Sequence, residues 1–277
     1  MVGQASSALP SSLVLVGAGK MGGAMLEGWL SVGLKAGAVT VLEPQPSSEI
    51  QTLCATHRIA LNTHLRDIRP PQVVMLAIKP QALEAAAPVI GRLIGPETLV
   101  VSILAGKTIA DLNRHLPKAA AIVRAMPNLA ASVRFSATAA VAGEGVTSAQ
   151  RAVAHALLAS VGAVEWVDSE RLIDAVTAVS GSGPAYVFYL TECLAHAGAL
   201  AGLPPNIAEH LARATVIGAG ELLQQGDLPP AKLRHDVTSP GGTTAAALEV
   251  LMAEPGLREL LRDAVAAAKR RAQELSG

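Results

Sequence analysis

The chain has 277 residues and a formal net charge of zero, with 22 basic side chains against 22 acidic ones. Neither half carries a strong basic field, which argues against nucleic acid as the main partner. Hydrophobic residues make up 51% but aromatics only 2%, so aliphatic side chains and alanine must fill one large domain or two modest ones.

Residues 1–11 read as a disordered leader without a basic n-region, and the apolar run Leu13–Val16 is too short for a signal peptide. No uninterrupted apolar stretch reaches the ~18 residues of a membrane span. Cys54 and Cys193 show no framework spacing, which fits a reducing compartment. The cytoplasm is the expected location, with no membrane partner.

Leu13–Val16 reads as a buried parallel strand, ended by the G-x-G-x-x-G of Gly17, Gly19 and Gly22. Met25, Leu26, Trp29 and Leu30 then follow at helical spacing until Gly33. A second strand, Val39–Leu42, ends on Glu43. Strand, glycine turn, helix and acid together form a dinucleotide fingerprint. Gly17 allows the tight turn, Gly19 admits the pyrophosphate, and Gly22 lets helix and strand pack closely. Glu43 lies somewhat beyond the usual spacing of about 20 residues. It can accept from the adenosine ribose hydroxyls or serve as a solvated turn residue. With no Arg among residues 44–48, the pattern tilts toward NADH over NADPH.

Further strands are expected at Val73–Ile78, running into Lys79-Pro80, and at Leu99–Leu104, Ala121–Ala125, 137–142 and Val164–Val167. Helices are expected at 81–94, Asp111–His115 and 147–161, the last capped by Thr147 or Ser148. This alternation implies a doubly wound parallel sheet. Gly106-Lys107-Thr108 is not a phosphate loop, because Val101 stands where the motif needs glycine. Ser180-Gly181-Ser182-Gly183 follows a helix and lacks the leading glycine of a hydrolase elbow. The seven histidines show no HExxH and no clustering, so no metal site is expected.

From Ser169 onward the pattern is helical. One helix carries Leu172, Ile173, Val176 and Val179. A second starts at Pro184, and a third runs from Pro204-Pro205 to Gly226. A short piece covers Pro229–His235, and two final helices span 244–253 and 256–275. The division is therefore 1–168, dinucleotide-binding, and 169–277, all-helical. Glycines inside helices (Gly198, Gly218, Gly220) each cost about 1 kcal/mol against Ala, which suggests close helix contacts, a subunit interface among them. The stretch Asp236–Leu248 reads as a loop opening a helix. Gly241 and Gly242 permit positive φ, and Thr243 is the expected N-cap hydroxyl. The helix start favours an anion such as a carboxylate, which Ser239, Thr243 and Thr244 could orient.

DAVTAVSGSGPAY (Asp174–Tyr186) and VTSPGGTT (Val237–Thr244) resemble segments of the Δ1-pyrroline-5-carboxylate reductase family, and the similarity extends from Leu13 to about Leu275. The resemblance implies a Rossmann-type α/β domain followed by an all-α dimerisation domain. It also implies NADPH- or NADH-dependent reduction of the cyclic imine pyrroline-5-carboxylate to L-proline. Thr244 would be the donor at the imine nitrogen. Val237, Ser239, Gly241, Gly242 and Thr243 would hold the substrate carboxylate, with Glu170 and Ser180 near the substrate. Its cofactor-side elements match Val16, Gly17, Ala18, Gly19, Lys20 and Met21, together with Glu43, Ala77-Ile78-Lys79-Pro80, Ile103-Leu104-Ala105 and Asn128. For an adenosine-ribose contact either Asn62 or His64 could serve, and His64 is taken.

The family implies intertwined homodimers that assemble further. Two departures stand out. Leu129-Ala130 replaces Thr-Pro after Met126-Pro127-Asn128, and Asp236 stands where an amide is frequent. Two other readings share the two-domain plan. A related imine or β-hydroxyacid dehydrogenase is disfavoured because Lys232 is the sole lysine between Asp174 and Leu233. A non-catalytic dinucleotide sensor would not need the three hydroxyls.

Overall fold

The computed structural model describes residues 9–276, so most of the expected leader lies outside the described residues. Contacts divide the chain into two compact units. The first runs to Gly181 and takes up the chain again from Lys269; the second is Ser182–Ala268. The sequence boundary after Asp168 falls just past the last strand, and the contact boundary falls one helix later.

In the first unit, eight strands form one sheet in the order β3-β2-β1-β4-β5-β6-β7-β8. They are β1 (Leu13–Val16), β2 (Val39–Leu42), β3 (Ala60–Leu61), β4 (Val73–Leu76), β5 (Leu99–Ser102), β6 (Ala121–Met126), β7 (Ser136–Ala142) and β8 (Gly162–Trp166). Strands β1, β4 and β5 are buried along their whole length, as their unbroken aliphatic runs require when helices cover both faces. The connections are α1 (Lys20–Ser31), α2 (Ser48–His57), α3 (Leu83–Leu93), α4 (Ile109–His115) and α5 (Ser148–Ala159). On one face, Met25, Leu26 and Trp29 of α1 meet Val153 and Leu157 of α5. The buried Trp29 indole donates to the Leu157 carbonyl at 2.9 Å. On the other face, Leu83, Ile90 and Leu93 of α3 pack with Leu112 of α4. The second tryptophan, Trp166 on β8, has the Arg151 guanidinium 4.3 Å above its ring.

The sheet is parallel with one exception: β6 and β7 pair antiparallel. Their connection is a 3₁₀ turn, Leu129–Val133, too short for the crossover that a parallel pair demands. β3 has only two residues and was not anticipated. The strand order reverses direction between β1 and β4, so the crevice at their carboxyl ends is the switch point where such sheets bind ligands.

Beyond the sheet, Glu170–Leu172 form a 3₁₀ turn, α6 is Ile173–Val176, and Thr177–Gly181 continue as a π-helix. The expected single helix is therefore three short pieces. The second unit consists of α7 (Gly183–Leu200), α8 (Pro205–Gln225), α9 (Pro230–Asp236), α10 (Thr243–Leu251) and the start of α11 (Leu257–Ser276). Pro184 and Pro205 sit in first turns, where a missing N–H costs nothing. Gly198 brings α7 against α8: a Cβ there would stand 3.3 Å from that of Ala208. Nothing lies within 4 Å of the corresponding positions on Gly218 and Gly220. No residue of α7 or α10 is buried, and α8 buries only Ala208 and Ala212.

Candidate active site

The glycine turn is shaped by its contact with β4. Gly17 adopts φ +93°, and a Cβ on it would lie 2.7 Å from the Ala77 carbonyl and the Ile78 nitrogen. Only glycine lets the turn rest there. A Cβ on Gly22 would meet the Gly17 carbonyl at 2.2 Å, so the start of α1 is drawn tightly onto the turn. Gly19 differs: it is exposed, and nothing lies within 4 Å of its missing Cβ. It is also the N-cap of α1, with no side-chain cap and no acid in the first turn. Unpaired main-chain donors facing open space make a cradle that suits a pyrophosphate. Of the flanking candidates, Val16 and Ala18 are buried, Met21 is half-buried and Lys20 is exposed. Ala77–Pro80 follow β4 and Ile103–Ala105 follow β5, at the carboxyl ends of adjacent strands. The residues present thus fit a dinucleotide.

Glu43 is already bound to the turn. One carboxylate oxygen accepts the Ala18 N–H at 2.9 Å, and the other accepts the Gln45 N–H at 3.0 Å. Asn62 holds its main chain from the other side, accepting from Glu43 N and donating to Glu43 O, both at 2.8 Å. Asn62 does so from the left-handed region, φ 53°. It is therefore Asn62, the alternative to His64, that the structure brings to Glu43. His64 is exposed at the start of the next turn.

Asn128 is buried, and both the oxygen and the nitrogen of its side chain are engaged. Its Oδ1 accepts from Ala130 N at 3.1 Å, and its Nδ2 donates to the Ser180 carbonyl at 3.0 Å. It ties the end of β6 to the π-helical segment. The Ser180 hydroxyl donates to the Val176 carbonyl at 3.1 Å. Glu170 is likewise engaged: its Oε1 accepts from Arg124 Nη1 and from Ile109 N, each at 2.8 Å. The Arg124 side chain is 4% exposed and that of Glu170 29%. Removing Glu170 would leave the buried Arg124 guanidinium without its ion-pair partner, a loss that for a buried pair is typically about 3–5 kcal/mol. Arg124 was not singled out from sequence. The signal was there, as one cation inside the apolar strand Ala121–Met126.

In the second unit, α9 leads into the Val237–Thr244 loop. The Thr238 hydroxyl donates to the Arg234 carbonyl at 2.6 Å, and Gly242 N donates to the Ser239 carbonyl at 3.0 Å. Gly241 takes φ +68°, but Gly242 does not. Gly242, at φ −82° and ψ 174°, is the N-cap of α10, and no side chain caps it. Thr243 is therefore the first helical residue and not the cap. With glycine in the cap position, the Ser239, Thr243 and Thr244 hydroxyls stay out of capping. The first-turn N–H groups have no intrahelical acceptor. Ser239 and Thr243 are exposed, as are Val237 and Gly241, while Thr244 is half-buried. Asp236 pairs with Lys232 one turn earlier on α9, and His235 Nδ1 lies 3.4 Å away. The Lys232 ammonium holds the Asp236 carboxyl below the usual carboxylate range. The negative charge that Asp236 brings to a position where an amide is frequent is thus paired with the Lys232 ammonium.

Known proteins carry the same two halves. The family described as pyrroline-5-carboxylate reductase dimerisation matches residues 170–275, and that described as NADP oxidoreductase, coenzyme F420-dependent, matches residues 12–106. A pyrroline-5-carboxylate reductase of Pseudomonas aeruginosa is 36% identical over 264 residues, covering 95% of this chain and 96% of the relative. The structure of a pyrroline-5-carboxylate reductase from Coxiella burnetii superimposes with a TM-score of 0.90 at 35% identity, over 97% of this chain and 99% of that one. The pyrroline carboxylate reductase of Plasmodium falciparum, solved with NADP bound, gives 0.76 at 25% identity over 96% and 98%.

Proposed function

The chain belongs to the pyrroline-5-carboxylate reductase family, and from that premise we propose how its residues divide the work of reducing 1-pyrroline-5-carboxylate to L-proline. It is an oxidoreductase that acts on a C=N bond and uses NAD(P)H. The observation that carries the reading is the pairing of a glycine cradle at a sheet switch point with a glycine-capped, hydroxyl-rich helix start in one chain.

Gly17, Gly19 and the first turn of α1 hold the pyrophosphate through main-chain donors. Ala77–Pro80, Ile103–Ala105 and Asn128 form the flanks of the crevice. Bound there, NAD(P)H supplies the hydride. The imine is attacked in its protonated form, so carbon gains a hydride while nitrogen keeps its proton and becomes a secondary amine. The substrate carboxylate is held by N–H groups of the Gly241–Thr243 turn and by the Ser239 and Thr243 hydroxyls, beside the positive end of α10. The Thr244 hydroxyl is the hydrogen-bonding group at the imine nitrogen. A threonine hydroxyl is too weak an acid to protonate an imine outright, so its role is orientation and relay to water. Within the first unit Glu170 is an anchor, held by Arg124 and Ile109, and Ser180 is held through Asn128.

The dimerisation match and the unburied apolar faces of α7 and α8 support a homodimer, and we extend this to a larger homo-oligomer of dimers. The functional boundary is placed after Asp168, supported by the end of the sheet at Trp166 and the start of the dimerisation match at residue 170. Among the described residues no helix is long and apolar enough to cross a membrane. We place the protein in the cytoplasm, a reading supported by its two unpaired cysteines, Cys54 and Cys193. The test is to follow nicotinamide absorbance with purified protein and pyrroline-5-carboxylate. Substrate-dependent oxidation with at least one cofactor is expected; none with either would overturn the reading.

A further inference from the structure

We infer that Glu43 makes this enzyme prefer NADH, by fixing a carboxylate where the adenosine ribose hydroxyls belong and where a 2′-phosphate would be repelled. The inference rests on the dinucleotide reading of the first unit and adds to it the choice between two cofactors. An acid ending the second strand of a Rossmann unit is placed to meet that ribose, whereas an arginine nearby accommodates the phosphate. Sequence spacing alone left Glu43 free to be a solvated turn residue. The structure removes that freedom. Its carboxylate is bound to the Ala18 N–H inside the glycine turn and to the Gln45 N–H, and Asn62 clamps its main chain on both sides.

Two hydrogen bonds hold the carboxylate and two hold its main chain before any cofactor arrives, so less side-chain entropy remains to be lost on binding. Each carboxylate oxygen accepts one of these N–H groups and keeps capacity for a second donor. A ribose hydroxyl can donate there; a phosphate offers only further negative charge. Nothing nearby in sequence compensates. Residues 44–48 are Pro, Gln, Pro, Ser and Ser. The Ser47 hydroxyl is taken up in capping α2, and the first turn of that helix adds a second acid, Glu49. Of the basic residues beyond β3, His64 and Arg66 are exposed, and Arg66 has Asp67 at 3.9 Å.

The test is calorimetric titration of the full-length protein with NADH and NADPH, and with the half-cofactors ADP-ribose and 2′-phospho-ADP-ribose. The unphosphorylated member of each pair should bind more tightly by about tenfold or more, the scale of one like-charge contact near a protein surface. Glu43→Gln keeps an acceptor and removes the charge. It should bring both pairs to within about threefold, mostly by tighter binding of the phosphorylated ligand, with circular dichroism confirming an unchanged fold. Equal affinities in the unsubstituted protein would overturn the inference without help from any variant. So would a gap that survives in Glu43→Gln, or one seen with whole cofactors but absent from the half-cofactors. If none of the four ligands binds, the dinucleotide reading itself fails.

Discussion

The two units treat their apolar residues in opposite ways. In the first, β1, β4 and β5 are covered on both faces, and the helices around them spend their hydrophobic side chains on the sheet. In the second, α7 and α10 bury no residue at all, and Phe188, Tyr189, Leu211, Ile217 and Leu222 stand open. A monomeric protein rarely leaves so much apolar surface uncovered. The first unit carries its own core. The second is half of a core whose other half is, on the proposed function, a second copy of the chain.

This difference can be tested from several sides. The largest effect is expected from Trp29→Ala, which empties a fully buried site and breaks the bond to Leu157. It should cost about 3–5 kcal/mol, read as a drop in the denaturant midpoint that does not vary with protein concentration. Next comes a pair of substitutions to aspartate. Ile217 is 65% exposed and Val89 on α3 is 39% exposed, so in an isolated chain Ile217→Asp should be the milder change. If a second copy covers α8, Ile217→Asp instead buries an unpaired charge and costs on the order of 3 kcal/mol. Val89→Asp should stay within about 0.5 kcal/mol. Sedimentation velocity should then show a dissociated Ile217→Asp chain, and an intact dimer with an unchanged melt would break the comparison. A third test separates binding from chemistry. Thr244→Ala should lower kcat by roughly 10²-fold, the scale of one positioned proton-handling group, with cofactor affinity unchanged. Near-normal turnover would remove Thr244 from the mechanism.

The smallest effect concerns Asp236. Its folded pKa is lowered by the Lys232 side chain, so the pair's contribution is complete above the ordinary aspartate value of 3.8. It fades as pH falls through the depressed one, and across neutral pH the pair stays intact. Asp236→Asn should therefore lower the KM for the imine acid only about two- to threefold, the scale of an exposed, screened charge pair. A tenfold change would mean that Lys232 does not offset the charge.

Most of the first unit was legible because its strands are short aliphatic runs bounded by Gly and Pro, and its α5 cap, Thr147, follows a simple side-chain rule. The sense of β7 was not legible, since direction is set by the length and path of a connection and not by strand composition. β3 escaped notice because two residues carry no period. At the glycine-rich loop, residue types pointed to a helix start, yet glycine took the cap and moved the threonines one position inward. Glu43 was visible as an acid at a strand end, but its engagement by Asn62 is a contact between the ends of the paired strands β2 and β3. Lys232 and Asp236 lie at i and i+4, a spacing readable in advance.

Both tryptophans of the chain, Trp29 and Trp166, belong to the first unit, while Tyr186 and Tyr189 belong to the second. Indole emission excited at the red edge of the absorption band will thus report on the nucleotide-binding half alone. Far-ultraviolet circular dichroism of the same sample also follows the helices of the other half. Diluting the protein should pull the two melting curves apart, so a pair of ordinary optical measurements can show which half depends on company.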